Sequence, residues 1–210
     1  LKLKSDNWSV DEARNVYHIN RWGAGYYDIN ASGNVEAKPL PGDDTAVELT
    51  EVIQASQKKG LSGPLLIRFQ DILRHRVQSL CRAFDEAIER FEYGGQYHGV
   101  FPLKVNELRE VVEEVLDAGK DDAFGLEVGS KSELSAALAL QSNPHSLLIC
   151  NGYKDANFIH TALIGTRLGK RVVLVVEKLD ELQNIIEIAR SEEVRPQLGI
   201  RLRLLSRSTG

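Results

Sequence analysis

Gly99-Val100-Phe101-Pro102-Leu103-Lys104-Val105-Asn106 is an apolar run that ends in a lysine, and a helical pattern starts directly after it. The same unit recurs on either side. Upstream, Leu65-Leu66-Ile67-Arg68-Phe69 predicts a short strand. Residues 71–91 predict a long amphipathic helix, with Leu73, Val77, Leu80, Phe84 and Ile88 at three- and four-residue spacing. Downstream, strands are predicted over 123–128, 146–150, 172–176 and 198–205. Helices are predicted over 107–118, 130–140, 155–168 and 179–190. Strand and helix thus alternate six times with short loops, and near-continuous apolar strands argue a parallel sheet covered on both faces. A closed (β/α)8 barrel needs eight units and typically ~250 residues. The expected fold class is therefore α/β: a TIM-type (β/α)8 barrel truncated after about six strand–helix units, or else a six-stranded doubly wound sheet. The first strand-to-helix turn carries no Gly-x-Gly-x-x-Gly, which weakens a dinucleotide-binding reading.

Residues 1–62 read differently from 63–210. Ser9 and Glu12 are spaced as a capping box for a short helix. Residues 25–30 and 35–38 flank the turn Asn30-Ala31-Ser32-Gly33-Asn34, a β-hairpin signal, and 45–59 predict a helix. Trp22, Tyr26 and Tyr27 read as packing residues of this small β layer in preference to an aromatic ligand shelf. The expected organisation is an N-terminal α+β segment over 1–62 and a (β/α) region over 63–210.

Composition narrows the function classes. The 210 residues are 42% hydrophobic and 27% charged, with a net charge of -4, so no nucleic-acid footprint is expected. No apolar run approaches the ~20 residues that span a bilayer, and no membrane partner is expected. Cys81 and Cys150 have no metal-ligand spacing and read as reduced thiols of a cytoplasmic protein. His98 and His160 lack a second ligand at metal spacing. There is no Gly-x-Ser-x-Gly and no His-Glu-x-x-His, so serine-hydrolase and zincin chemistry fall away.

In alternating α/β folds, ligands bind at the carboxyl ends of the strands. The polar residues there are Lys104, Glu127, Asn151 with Lys154, Glu177 with Lys178, and Arg203 or Ser206. A buried lysine amine can lose its proton and attack a carbonyl, so Lys104 is a candidate to carry pyridoxal phosphate as a Schiff base. The competing reading is a solvated lysine that closes a strand. Glu127 lies in an apolar stretch one strand away, where it would hold an amine charged, orient a cofactor oxygen or form a structural ion pair. Glu133 lies in a helix's first turn, where capping alone would account for it. Glu177 and Lys178 read as a solvated loop.

Five segments, taken in order and at their spacings, carry a resemblance. They are Trp22-Gly23-Ala24-Gly25-Tyr26-Tyr27, Arg68-Phe69-Gln70-Asp71-Ile72-Leu73, Val100-Phe101-Pro102-Leu103-Lys104-Val105-Asn106, Gly125-Leu126-Glu127-Val128-Gly129-Ser130-Lys131-Ser132-Glu133-Leu134 and Cys150-Asn151-Gly152-Tyr153-Lys154-Asp155. From about Trp8 to Gly210 the chain resembles the biosynthetic arginine decarboxylases, a pyridoxal-phosphate-dependent family of fold type III. The resemblance implies decarboxylation of L-arginine to agmatine and carbon dioxide, feeding putrescine and spermidine synthesis. It implies Lys104 as the cofactor-binding and catalytic lysine, with Glu127, Glu133, Asn151 and Arg203 lining the cofactor site. Magnesium comes with the family alone, and no ligand set for it is visible. A homodimer or higher homo-oligomer of the full-length protein is likewise implied. The alternatives are another fold III decarboxylase, acting on diaminopimelate, ornithine or carboxynorspermidine, or a non-catalytic cofactor-binding fragment. Gln70 stands where the family commonly has proline, within an expected loop, and Glu107 where it has glutamine. Family members are much longer. Their glycine-rich phosphate loop, their C-terminal β domain and the residues it lends across a dimer interface lie outside this stretch. The hairpin of residues 25–38 would join that β domain, and the segment alone is expected to be a poor catalyst or none.

Overall fold

A strand persists only where neighbours complete its ladder, and that condition decides which apolar runs of this chain become strands. The computed structural model describes residues 8–202. The chain divides into two units, up to His75 and from Arg76 on, and the division falls within one long helix.

In the first unit, α1 (Val10–Val16) is capped by Ser9, whose hydroxyl accepts the Glu12 N–H at 3.1 Å. The short helix α2 spans Ile19–Trp22. An antiparallel sheet follows, made of β1 (Tyr27–Ile29), β2 (Val35–Ala37) and β3 (Val47–Glu48). The hairpin turn is fixed by the Asn30 side chain, which accepts the N–H groups of Ser32 and Asn34, and by Gly33 in the left-handed region at φ 83°. The helix expected from residue 45 begins later: β3 pairs with β2 first, and α3 runs Leu49–Lys58. Tyr26 is buried and its hydroxyl lies 2.6 Å from His75 Nδ1, while Trp22 packs against the Tyr27 ring.

Asp28 anchors this unit's polar side. Its carboxylate accepts Arg14 Nε at 2.7 Å and Lys38 Nζ at 3.2 Å. The Arg14 hydrogen bond, against the opposing effect of burial, holds its pKa at about 2, well below the ordinary 3.8. A folded-state pKa below the unfolded value gives stability that is present above about pH 4 and lost as pH falls toward 2. A carboxyl-carbon NMR titration should therefore place Asp28 near 2, and Arg14→Gln should return it toward 3.8. Titration of Asp28 at the ordinary value in the unsubstituted protein would refute the pairing.

The second unit is built on five parallel strands in sequential order: β4 (Val100–Pro102), β5 (Gly125–Val128), β6 (Leu147–Cys150), β7 (Arg171–Val176) and β8 (Gln197–Ile200). Helix α4 (Gln70–Arg90) precedes them, and α5 (Arg109–Ala118), α6 (Lys131–Leu140), α7 (Ala156–Arg167) and α8 (Leu179–Ser191) cross between them. Local chemistry sets the helix starts. Ser130 Oγ accepts the Glu133 N–H, and Asp155 Oδ1 accepts the Phe158 N–H at 2.9 Å. Gln70 is the first residue of α4, not part of a loop; a proline would suit that position, and glutamine is equally compatible with it.

Two expectations are corrected. The sheet has five strands among the described residues, not six: Leu65–Phe69 is not a strand, and Leu66 is 81% exposed. An apolar run without a ladder partner leaves its backbone groups to water and does not stay a strand. The last strand ends at Ile200, and residues 203–205, expected to extend it, lie outside the described residues.

Nor is the sheet covered equally on both faces. Register places Leu126, Leu148 and Val172 in one row and Val128, Cys150 and Leu174 in another, all buried. They form the core with Val112, Leu134, Phe158, Ile159, Leu163 and Ile185 from α5 to α8. The intervening row runs Pro102, Glu127, Ile149, Val173 and Gln197 on the opposite face. In that row Glu127 alone is buried, and Gln197 is exposed. One face therefore drives folding, and the other presents a carboxylate in a partly open concavity.

Candidate active site

Pro102 has no N–H to continue a ladder, and β4 stops there. The chain turns into a single 3-10 turn, Leu103–Val105, before Asn106 Oδ1 accepts the Leu108 N–H and leads into α5. Lys104 is thus placed just past the strand, on the turn, instead of closing the strand. Leu103 is buried beneath it, and Lys104 itself is exposed.

Lys104 helps to line a cleft of about 780 Å³ at the carboxyl ends of all five strands. Its lining includes Lys104, Glu127, Glu133, Asn151, Gly152 and Arg201. Four of the five expected site residues therefore share one concavity. The fifth, Arg203, lies outside the described residues.

Glu127 is 7% exposed, and its Oε1 accepts Asn151 Nδ2 at 2.9 Å. A buried carboxylate needs such a donor. Asn151 is held in turn by its own N–H, which donates to the Val128 carbonyl at 2.8 Å. Glu133 serves α6: its carboxylate accepts the Gly129 N–H at 2.7 Å, so its capping role is structural fact beside its place in the cleft. Beneath the cleft, burial raises the Cys150 thiol to about 12, so it is an inert packing group.

The rim is more ordered than a solvated loop. Glu177 accepts the Gly152 N–H at 2.7 Å and Arg201 Nη1 at 3.0 Å. Glu181 is buried and accepts the backbone N–H of both Lys154 and Glu177 at 3.0 Å. The Lys154 ammonium, fully enclosed, lies 3.4 Å from Glu181 and donates to the Gly152 carbonyl. Burial opposes ionisation of both carboxylates, yet the N–H donors and neighbouring cations outweigh it and lower both pKa values. Sequence reasoning set Glu177 aside and passed over Glu181; the available signal was their four-residue spacing across the start of α8.

The residues suit pyridoxal phosphate at its aldehyde side. Lys104 brings a primary amine, Glu127 a buried and hydrogen-bonded carboxylate, and the cleft has the volume of a cofactor site. Among the described residues no three His, Cys, Asp or Glu side chains converge as metal ligands. No helix among the described residues is long and apolar enough to cross a membrane.

Comparison with known proteins agrees with this geometry. Residues 74–208 match the family model described as pyridoxal-dependent decarboxylase, pyridoxal binding domain. The chain is 48% identical over 205 residues to the biosynthetic arginine decarboxylase of Pseudomonas aeruginosa, covering 98% of this chain and 32% of that protein. It is 45% identical over 206 residues to that of Parasynechococcus marenigrum, with coverage of 98% and 32%. The crystal structure of the biosynthetic arginine decarboxylase from Campylobacter jejuni superposes with a TM-score of 0.81 at 32% identity, over 90% of this chain and 32% of that one. A diaminopimelate decarboxylase structure, at TM-score 0.66 and 18% identity over 88% of this chain and 37% of that one, shares the fold. The chain spans about a third of the length of the curated relatives it matches. With an amine and a buried carboxylate at the open end of a parallel α/β sheet, and the family model covering that whole sheet, the chain belongs to the pyridoxal-dependent decarboxylases and carries their pyridoxal binding domain.

Proposed function

We propose that the full-length protein decarboxylates L-arginine to agmatine and carbon dioxide, with pyridoxal phosphate bound at Lys104. The observation that carries this reading is the shared cleft of Lys104, Glu127 and Asn151, in a chain 43–48% identical to biosynthetic arginine decarboxylases. When bound, pyridoxal phosphate supplies an electron sink conjugated to the substrate's α-carbon. The Lys104 Nζ would hold the cofactor through its aldehyde carbon. Glu127, fixed by Asn151, would orient the cofactor from the sheet face. Glu133 and Arg203 complete this side of the site. The five-stranded sheet is read as part of a (β/α)8 barrel. On this reading residues 1–62 belong with a β domain and 63–210 with the barrel. The protein acts in the cytoplasm as a homodimer or larger homo-oligomer.

Release of labelled carbon dioxide by the full-length protein tests the substrate. Arginine should be turned over far faster than diaminopimelate, ornithine or carboxynorspermidine, with agmatine as product. Faster release from one of the others would replace arginine by that substrate. Cofactor binding with no release from any of them would make the protein a carrier.

A further inference from the structure

We propose that Lys154, Glu181 and Glu177 are positioning residues: one buried charged network fixes the loop after β6, so that Asn151 holds the Glu127 carboxylate in place in the cleft. The inference rests on the reading of that cleft as the cofactor site. It concerns residues that touch the loop backbone and not the cofactor.

Gly152 is the node. Its N–H is taken by Glu177 and its carbonyl by the Lys154 ammonium, so both polar groups of one peptide unit are claimed by charged side chains. Glu181 closes the circuit, with one oxygen on the Lys154 N–H and the other on the Glu177 N–H. The loops after β6 and β7 are thereby tied together. A third loop is drawn in sterically. Gly152 sits at φ 76°, and a Cβ there would lie 3.0 Å from the Gly129 carbonyl oxygen. The residue that all this immobilises from one side is Asn151, the donor to Glu127.

A stabilising role alone explains the arrangement poorly. A buried ion pair is weak evidence for stability, because desolvation cancels much of its attraction. This pair spends its hydrogen bonds on loop backbone, at the rim of the cleft, where precise placement matters more than net stability. The Gly152 peptide is held by the fully enclosed Lys154 ammonium on one side and, on the other, by Glu177, whose second partner is the Arg201 guanidinium at the rim.

The test is a double-mutant cycle in the full-length protein between Glu181→Gln and Asn151→Ala. In Glu181→Gln, an amide NH2 replaces one carboxylate oxygen and faces a backbone N–H. Two quantities are read: hydrogen exchange at the Gly152 amide in cofactor-free protein, and the dissociation constant for pyridoxal phosphate. Glu181→Gln should speed Gly152 exchange and weaken cofactor binding by roughly tenfold, the scale at which supporting residues tune a site. Asn151→Ala should weaken binding comparably, and the double variant should bind no worse than the poorer single one. Multiplying effects, or a Glu181→Gln variant that loses only thermal stability with unchanged affinity, would overturn the inference. Should Glu181→Gln fail to fold, Glu177→Gln replaces it in the same cycle, with the same expected non-additivity and the same overturning results. Failure of the cofactor reading is seen separately, as pyridoxal phosphate retained covalently when Lys104 is replaced.

Discussion

Replacing Lys104 by alanine in the full-length protein should abolish covalent retention of pyridoxal phosphate and cut arginine decarboxylation by at least about a thousandfold. The size follows from the double use of one amine. On the proposed reading it would both hold the cofactor and supply the nucleophile that attaches it. Borohydride reduction followed by peptide mass analysis reads the first use: the unsubstituted protein should carry the cofactor mass on the peptide containing residue 104, and Lys104→Ala should carry none. Lys104→Arg sharpens the argument. A guanidinium keeps the positive charge but stays protonated at any accessible pH, so it cannot attack an aldehyde. If Lys104 were only a solvated cation at the cleft edge, Lys104→Arg would be nearly silent. Under the nucleophile reading it fails as badly as alanine. Cofactor mass found on another lysine in either variant would move the site.

Much of this was legible in the residues, for identifiable reasons. The apolar cores of β5 to β7, and the helix starts at Ser130 and Asp155, are local signals that the structure repeats to within a residue or two. Lys104, Glu127 and Asn151 stood at strand ends, and a parallel sheet necessarily brings strand ends together. What failed was whatever depends on a partner distant in sequence. Leu65–Phe69 has the composition of a strand, but composition supplies no ladder. Val47–Glu48 was read as helix because nothing local announces that β2 offers it an edge. Glu177 looked solvated because its partners, Gly152 and Arg201, stand about 25 residues away on either side. A charged residue's burial is decided by what folds over it, and a one-dimensional pattern carries that information poorly.

Gly125→Ala, the addition of one methyl group, should destabilise the second unit by more than about 3 kcal/mol, beyond the usual range for overpacking. A Cβ built on Gly125 lies 2.0 Å from the Leu147 carbonyl oxygen and 2.9 Å from its nitrogen. These are main-chain atoms, so no rotamer change can relieve the contact. Leu147 is held on its far side by Arg171 in register, and Gly125 by Val100 on its own. Relief therefore requires β5 and β6 to part where both are central in the sheet. With total stabilities of about 5–15 kcal/mol for a domain, that loss leaves little folded protein. Denaturant unfolding against Leu148→Ala, expected to cost about 2–5 kcal/mol by emptying a fully buried site, checks it. A loss below about 1 kcal/mol for Gly125→Ala would show that the strands yield more easily than close packing allows. The position also matters for chemistry. Glu127 follows two residues later on the same face, so any parting of β5 from β6 that the fold survives displaces the carboxylate that Asn151 holds from the adjoining strand end. In a surviving Gly125→Ala population, weaker pyridoxal phosphate binding should therefore accompany the lost stability, whereas Leu148, on the opposite face, should lose stability with far less effect on the cofactor.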